Sequence, residues 1–205
     1  NVPHYVSESN TQPGMPKYKD LNGDGIIDTN DRTMIGRGLP IHTGGFTNNF
    51  EYKGFDLNIF FQWSYGNDVL NANRLFFDSG FQKKRELNQY ASYANRWTPE
   101  NPNSDIPAAT NSSSNLVISS RVVEDASFLR LKTVTLGYTI PKNFLKRYKI
   151  DNARLYLAAQ NLWTITGYSG YDPEVSIREG GLTPGLDFSS YPRALSVSFG
   201  INLGF

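Results

Sequence analysis

The chain has 205 residues and a formal net charge of +1, so its bulk electrostatics give no reason to expect a nucleic-acid partner. Aromatics make up 14% of it, with 13 Phe and 12 Tyr, while hydrophobic types together reach only 39%; that balance suits strands and interfacial belts better than a helical core. Cysteine is absent, which excludes a disulfide framework, and no apolar run approaches the ~20 residues a transmembrane helix needs.

The chain opens Asn1-Val2-Pro3-His4, without the basic and apolar regions of a signal peptide; if the protein is exported, its own N-terminus is expected to lie elsewhere. Residues 1–42 read as a loop built around one motif. Asp20-Leu21-Asn22-Gly23-Asp24-Gly25-Ile26-Ile27-Asp28-Thr29-Asn30-Asp31 follows the calcium-loop pattern D-x-N-x-D-G-x-x-D-x-x-D. Side-chain oxygens of Asp20, Asn22, Asp24, Asp28 and Asp31 and the carbonyl of Ile26 are the expected metal ligands. Gly25 stands where the turn needs positive φ, and Ile27 is the apolar anchor. The four carboxylates repel one another when gathered, and a hard dication removes that penalty, so Ca²⁺ is the expected ion, in a structural role. The last ligand is Asp31, where an EF-hand has Glu, and this form is closer to dockerin loops. A metal-free Asn/Asp/Gly-rich turn is the alternative.

Five segments alternate with period two, at about 43–53, 55–65, 128–140, 153–163 and 193–205. The first two, joined by Lys53-Gly54, predict a hairpin with Phe46, Asn48, Phe50 and Tyr52 beside Phe55, Leu57, Ile59, Phe61, Trp63 and Tyr65 on one face. In the third, Val134, Leu136, Tyr138 and Ile140 oppose Thr133, Thr135, Gly137 and Thr139. In the fourth, Leu155, Leu157, Ala159 and Trp163 oppose Arg154, Tyr156, Ala158 and Gln160. In the last, Leu195, Val197, Phe199, Ile201, Leu203 and Phe205 oppose Ser, Gly and Asn.

These segments are longer than the ~5–6 residues of ordinary strands and match the ~9–11 of a tilted membrane-crossing strand. Mean hydropathy is −0.45, but a β-barrel meets lipid with only alternate residues, so that value does not exclude one. Aromatics cluster near strand ends, where an interfacial girdle would sit, and the opposite faces are wet. The fold class expected is all-β: the C-terminal strands of a transmembrane antiparallel β-barrel, with long external loops containing short helices. Asp56, Asn58, Gln62, Arg154, Tyr156 and Gln160 are expected to line the lumen. A soluble sandwich with one solvated face is the alternative. Five strands cannot close a barrel, since about eight are needed.

The connections are unequal. Lys53-Gly54 and 141–152 are short; 66–127 and 164–192 are long. Outer-membrane barrels have short periplasmic turns and long external loops. With the last strand running inward, parity puts both long connections and the calcium-type loop outside. Leu87, Tyr90, Ala91, Ala94 and Trp97 recur at helical spacing before Pro99, which predicts one or two short helices between Asp68 and Trp97. Residues 101–115 read as irregular loop.

His4 and His42 sit in no metal or triad pattern. Asp172 and Glu174 flank Pro173; a glycosidase uses paired carboxylates, but solvation of a loop surface is the favoured reading. Tyr65, Phe76, Phe77, Trp97, Tyr168 and Tyr171 could stack on sugars or bind peptide, and packing of the loops is the favoured reading. No phosphate loop, nucleophile elbow or zinc signature occurs, so no enzyme is expected.

Several blocks together carry a family resemblance. They are Lys19 through Asp28; Thr43-Gly44-Gly45-Phe46 leading to Phe55-Asp56-Leu57; Arg96-Trp97-Thr98-Pro99-Glu100-Asn101-Pro102; Ser127 through Lys132; Leu136-Gly137-Tyr138-Thr139-Ile140-Pro141; Ala159-Gln160-Asn161-Leu162-Trp163; and Tyr191-Pro192-Arg193. The chain resembles the C-terminal part of a SusC/RagA-type TonB-linked outer-membrane transporter of Bacteroidota. That resemblance implies a parent barrel of about 22 strands, with a plug and a TonB-contacting segment that this chain lacks. It further implies a SusD-type surface lipoprotein as lid, glycan or peptide import driven through TonB, and residence in the outer membrane. Phe205 resembles the terminal aromatic read by the barrel-assembly machinery. A secreted calcium-dependent carbohydrate-binding β module is the alternative function.

Overall fold

The structure, a computed structural model, describes residues 4–5, 12–80, 88–111, 116–177 and 184–205. In chain order its strands are β1 (His4–Tyr5), β2 (Ile26–Ile27), β3 (His42–Tyr52), β4 (Phe55–Tyr65), β5 (Asp68–Asn71), β6 (Val123–Asp125), β7 (Phe128–Thr139), β8 (Asn152–Thr166), β9 (Leu186–Asp187) and β10 (Ser196–Gly204). Two short helices are α1 (Ala72–Phe77) and α2 (Lys142–Leu145), and 3-10 turns span Thr29–Asp31, Ala91–Asn95 and Lys146–Tyr148. The chain divides into two compact units, Leu39–Asp68 with Asp125–Val175 and Tyr191–Phe205, and Asn1–Gly38 with Val69–Glu124 and Ser176–Ser190.

The first unit is one antiparallel sheet in the order β10-β8-β7-β4-β3. Its register puts apolar residues opposite one another on a single face. Phe50 meets Leu57, Leu57 meets Leu136, Leu136 meets Leu157 and Leu157 meets Phe199. Among the described residues, this face has no second sheet against it. Phe46, Phe50, Trp163, Val197 and Ile201 are all exposed on it, and Phe199 is 68% exposed. A soluble sandwich buries such a face, so the sheet is built like the wall of a membrane barrel, with the barrel not closed by these strands.

The alternation breaks once, and the break is corrected by a bulge. Phe60 and Phe61 of β4 oppose Thr133 and Leu131, which leaves Lys132 as the extra residue of β7. Across β8 the disturbance widens: Leu131 faces Trp163 and Thr133 faces Gln160, with Asn161 at φ 53 between them. One inserted residue shifts side-chain alternation by one. Leu129 and Leu131 therefore share the apolar face with Val134 and Leu136, and Lys132 joins Thr133 on the polar one.

β8 extends to Thr166, beyond the expected 163, because Thr164, Ile165 and Thr166 continue the ladder opposite Arg130, Leu129 and Phe128; β-branched residues favour that extension. β10 begins at Ser196 rather than 193. The Arg193 amide donates instead to Asp172, and the Ala194 carbonyl accepts from Asn161.

The second unit has a small sheet in the order β6-β5-β9 and a core of Val69, Ala72, Leu75 and Val122. α1 begins where the Asn71 side chain accepts the Arg74 amide at 3.3 Å. The helical spacing predicted before Pro99 becomes the 3-10 turn Ala91–Asn95; Leu87, which began that pattern, lies outside the described residues. Ser92 and Asn95 interrupt the apolar pattern, and the Ser92 hydroxyl donates to Asp78 at 3.2 Å. From 101 to 111 there is irregular chain and one bridge, Thr98 to Asn101.

Candidate functional site: the polar face and a clamped loop

The polar side of the wall is organised by charge. Arg154 of β8 grips Asp56 of β4 with both ends of its guanidinium, the Nε bond being 3.0 Å. β7 runs between these two strands, and Gly137 lies opposite Asp56. A Cβ at Gly137 would collide with the Asp56 carboxylate and the Arg154 guanidinium; the missing side chain is what lets the pair close over the intervening strand. Asn58 donates to Asn49 at 2.5 Å, Tyr156 lies over Gly200, and Gln160 is exposed.

Nearer the long connections, a loop is fastened onto this face. Asp172 is only 3% exposed and accepts from Arg130 at 2.5 Å and from the amides of Glu174 and Arg193 at 2.9 and 3.0 Å. Glu174 accepts from Arg130 at 3.1 Å, Lys132 at 3.3 Å and Arg193 at 2.9 Å, and from Gln62 at 3.4 Å. Asp172 and Glu174 are thus not solvated surface groups. They are acceptors for Arg130 and Lys132, which project from β7, and for Arg193, and the loop is held to the wall by charge-assisted bonds. Both carboxylates are engaged by cations, an arrangement unlike an acid–base pair. The cue in the sequence was Arg130 and Lys132 in an otherwise apolar strand segment.

The remaining candidates separate clearly. His42 accepts the Trp63 indole N–H at 3.2 Å and stacks on Tyr65 at 5.1 Å; the His4 side chain lies outside the described residues. Phe76 packs on Phe188 and Phe77 on Tyr90, Tyr168 is buried, and Tyr171 is exposed.

In the calcium-type loop, Gly23 and Gly25 take φ of 77 and 85. The side-chain oxygens turn onto the loop's own amides. Asp20 accepts from Gly23 at 2.6 Å and Gly25 at 2.9 Å, and Asn22 from Asp24 at 3.0 Å. Asp24 accepts from Ile26 at 2.8 Å, and Asp28 from Asn30 at 2.7 Å. Asp31 accepts from Leu21 at 2.7 Å and Asp28 at 2.9 Å. The Asp28 and Leu21 amides hold the Asp31 carboxyl below the usual carboxylate range. Among the described residues no three His, Cys, Asp or Glu side chains are grouped so as to hold a metal ion, so a cation would have to draw these oxygens inward.

The chain is 39% identical over 95% of its length to the TonB-dependent receptor P3 of Formosa agariphila, and 29% identical over 98% to the TonB-dependent receptor SusC of Bacteroides thetaiotaomicron. It is homologous to the SusC/RagA-type TonB-dependent receptors. A solved structure of the RagAB peptide importer in its closed-closed state agrees, with 30% identity over 93% of this chain and a TM-score of 0.74. No protein-family model matches. The chain spans about a fifth of each of these relatives, at 19%, 18% and 20% of their lengths. By that likeness the sheet of this chain corresponds to a stretch of barrel wall, and the loop carrying Asp172 and Glu174 is clamped onto that sheet.

Proposed function

We propose that this chain forms part of the wall of a TonB-dependent outer-membrane transporter that imports glycans or peptides together with a SusD-type surface lipoprotein. One observation carries the reading: a continuous sheet whose apolar face presents exposed Phe46, Phe50, Leu136, Leu157, Trp163 and Phe199 with no second sheet against it among the described residues, while the opposite face carries ion pairs. In hydrocarbon the unpaired edges of β3 and β10 would each leave a row of polar groups unsatisfied, at several kcal/mol per group. Such a sheet fits a larger closed wall. TonB contact belongs to parts of the parent protein outside this chain. The RagAB likeness favours peptide and the SusC likeness leaves glycan open. A secreted carbohydrate-binding module would need its apolar face covered.

The test uses the full-length protein in its own cells. It should partition with outer-membrane markers, and deletion of its gene, or of TonB, should abolish uptake of one oligomeric nutrient. Recovery in the soluble periplasm would overturn the proposal.

We also propose that Asp20, Asn22, Asp24, Asp28, Asp31 and the Ile26 carbonyl bind Ca²⁺ as a structural pin. Four carboxylates within twelve residues and two left-handed glycines support this. An ion that binds only the folded loop must stabilise it, by about 2.7 kcal/mol at a hundred times its Kd. Protection of the 20–31 segment from hydrogen exchange should rise with calcium and fall with chelator; equal protection in both would rule the pin out.

A further inference from the structure

The short-turn end of the wall carries a surface that the transport reading leaves unused. Three backbone hydrogen bonds gather it: Thr139 to Gly54 at 2.7 Å, Ile140 to Ala153 at 2.9 Å and Asp151 to Gly204 at 2.8 Å. They place the β3–β4 turn, the 141–151 connection and the end of β10 at one end of the sheet. Five cations sit there, Lys53, Lys142, Lys146, Arg147 and Lys149, and Asp151 is the one carboxylate of the 141–151 connection. None of the five has an ion-pair partner among the described residues.

The same connection is amphipathic in an unusual sense. Leu145 is buried, whereas Phe144 and Tyr148 are 71% and 68% exposed. Two large rings are thus presented beside four charges rather than folded in. The surface continues directly into the apolar face through Tyr52, Phe55 and Tyr138; Phe55 and Tyr138 pack at 4.5 Å, and the Lys53 ammonium lies 5.1 Å over the Tyr52 ring. Aromatic rings and long cationic side chains together at the edge of a lipid-facing band match the headgroup layer. Each Lys or Arg near an anionic surface adds to binding, and the contribution weakens with salt.

We propose that this rim binds the anionic headgroups of phospholipids in the leaflet that the short turns touch, with Lys142, Lys146, Arg147 and Lys149 contacting phosphate and Phe144 and Tyr148 entering the interface. The proposal rests on the barrel reading above. It commits to phospholipid; lipopolysaccharide, whose phosphates share the chemistry, is an outcome of the test.

The experiment uses the full-length protein that contains this chain, purified in neutral detergent and titrated with phosphatidylglycerol, with phosphatidylcholine, or with lipopolysaccharide, the bound species being counted by native mass spectrometry. The variant K142Q/K146Q/R147Q/K149Q should lose phosphatidylglycerol affinity by about five-fold for each charge removed, while K17Q/K19Q/R32Q should not. Raised salt should diminish the difference. Insertion of the fourfold variant into phosphatidylcholine vesicles, as well as wild type, shows that it folds; should it fail to insert, Phe144→Ser with Tyr148→Ser replaces it and should weaken phosphatidylglycerol binding. Equal phosphatidylglycerol binding by wild type and variant, or a loss confined to lipopolysaccharide, would overturn the proposal. Failure of the wild type to insert into neutral vesicles would instead overturn the barrel reading.

Discussion

Asp172 shows how a single carboxyl can hold a loop. Burial alone would raise its pKa, but the hydrogen bonds from Arg130 and the amides of Glu174 and Arg193, with the Arg130 charge, outweigh burial and hold it below the usual carboxylate range. A depressed folded pKa contributes stability that is present above the unfolded value of about 3.9 and is lost as pH falls through the folded one. Asp172→Ala would leave the Arg130 guanidinium, whose side chain is 3% exposed, with Glu174 as its remaining carboxylate partner, a loss smaller than the about 3–5 kcal/mol of a buried charge left wholly unpaired. Proteolysis within 167–177 in the full-length protein should accelerate strongly in this variant. Wild-type protection should also fade below pH ~4, and the variant should lack that acid step. Identical cleavage in both proteins would show that the clamp does not restrain the loop. The residues of the polar face were legible from alternation alone, since Asp56 and Arg154 follow the phase of their strands. Asp172 and Glu174 were not. Their cations come 42 residues earlier, and no local pattern reports so distant a partner.

At the scale of elements, the bulge at Lys132 decides which side chains of β7 join the apolar face. Without it, Leu129 and Leu131 would turn to the polar side and Arg130 would turn outward. An Arg on the lipid face costs about 2–4 kcal/mol near the bilayer midplane, and the clamp would lose its anchor as well. Deleting Lys132 itself would make Leu131 and Thr133 successive residues opposite Phe61 and Phe60, so both faces should keep their side chains and the heat-modifiable compact band that folded barrels give on gels should remain. Lys132→Ala, which preserves strand length, should keep that band. Loss of the band in the deletion would show that the bulge itself, and not the placing of the faces, is what assembly requires. The five strands could be read because each alternates over many residues. The bulge could not, because Phe128 through Lys132 breaks phase and gives no sign of how the break is resolved. The true start of β10 was equally hidden, since Arg193 looks like strand until its amide is seen donating to Asp172.

For the whole molecule, the expectation of an all-β wall with short helices in its long connections agrees with the sheet and with its likeness to the RagAB importer. What sequence did not reveal is that the chain outside the wall forms a compact unit around Val69, Ala72, Leu75 and Val122. Val69, Ala72 and Leu75 recur every third residue, but over too short a stretch to announce a core, and Val122 lies far along the chain in a segment rich in Ser and Asn. Strand pairing depends on contacts between neighbours in the sheet, whereas the second unit is assembled from three separated stretches of chain.

β4 and β7 pair directly although the excursion from Gly66 to Ser127 separates them. The entropy of closing such an excursion grows only logarithmically, by about 0.6 kcal/mol for each doubling of its length. The pairing of the wall is therefore nearly indifferent to how much chain is inserted between these strands. Insertions, deletions and exchanges can accumulate there without disturbing the scaffold, so chains with matching walls are free to differ most in that excursion.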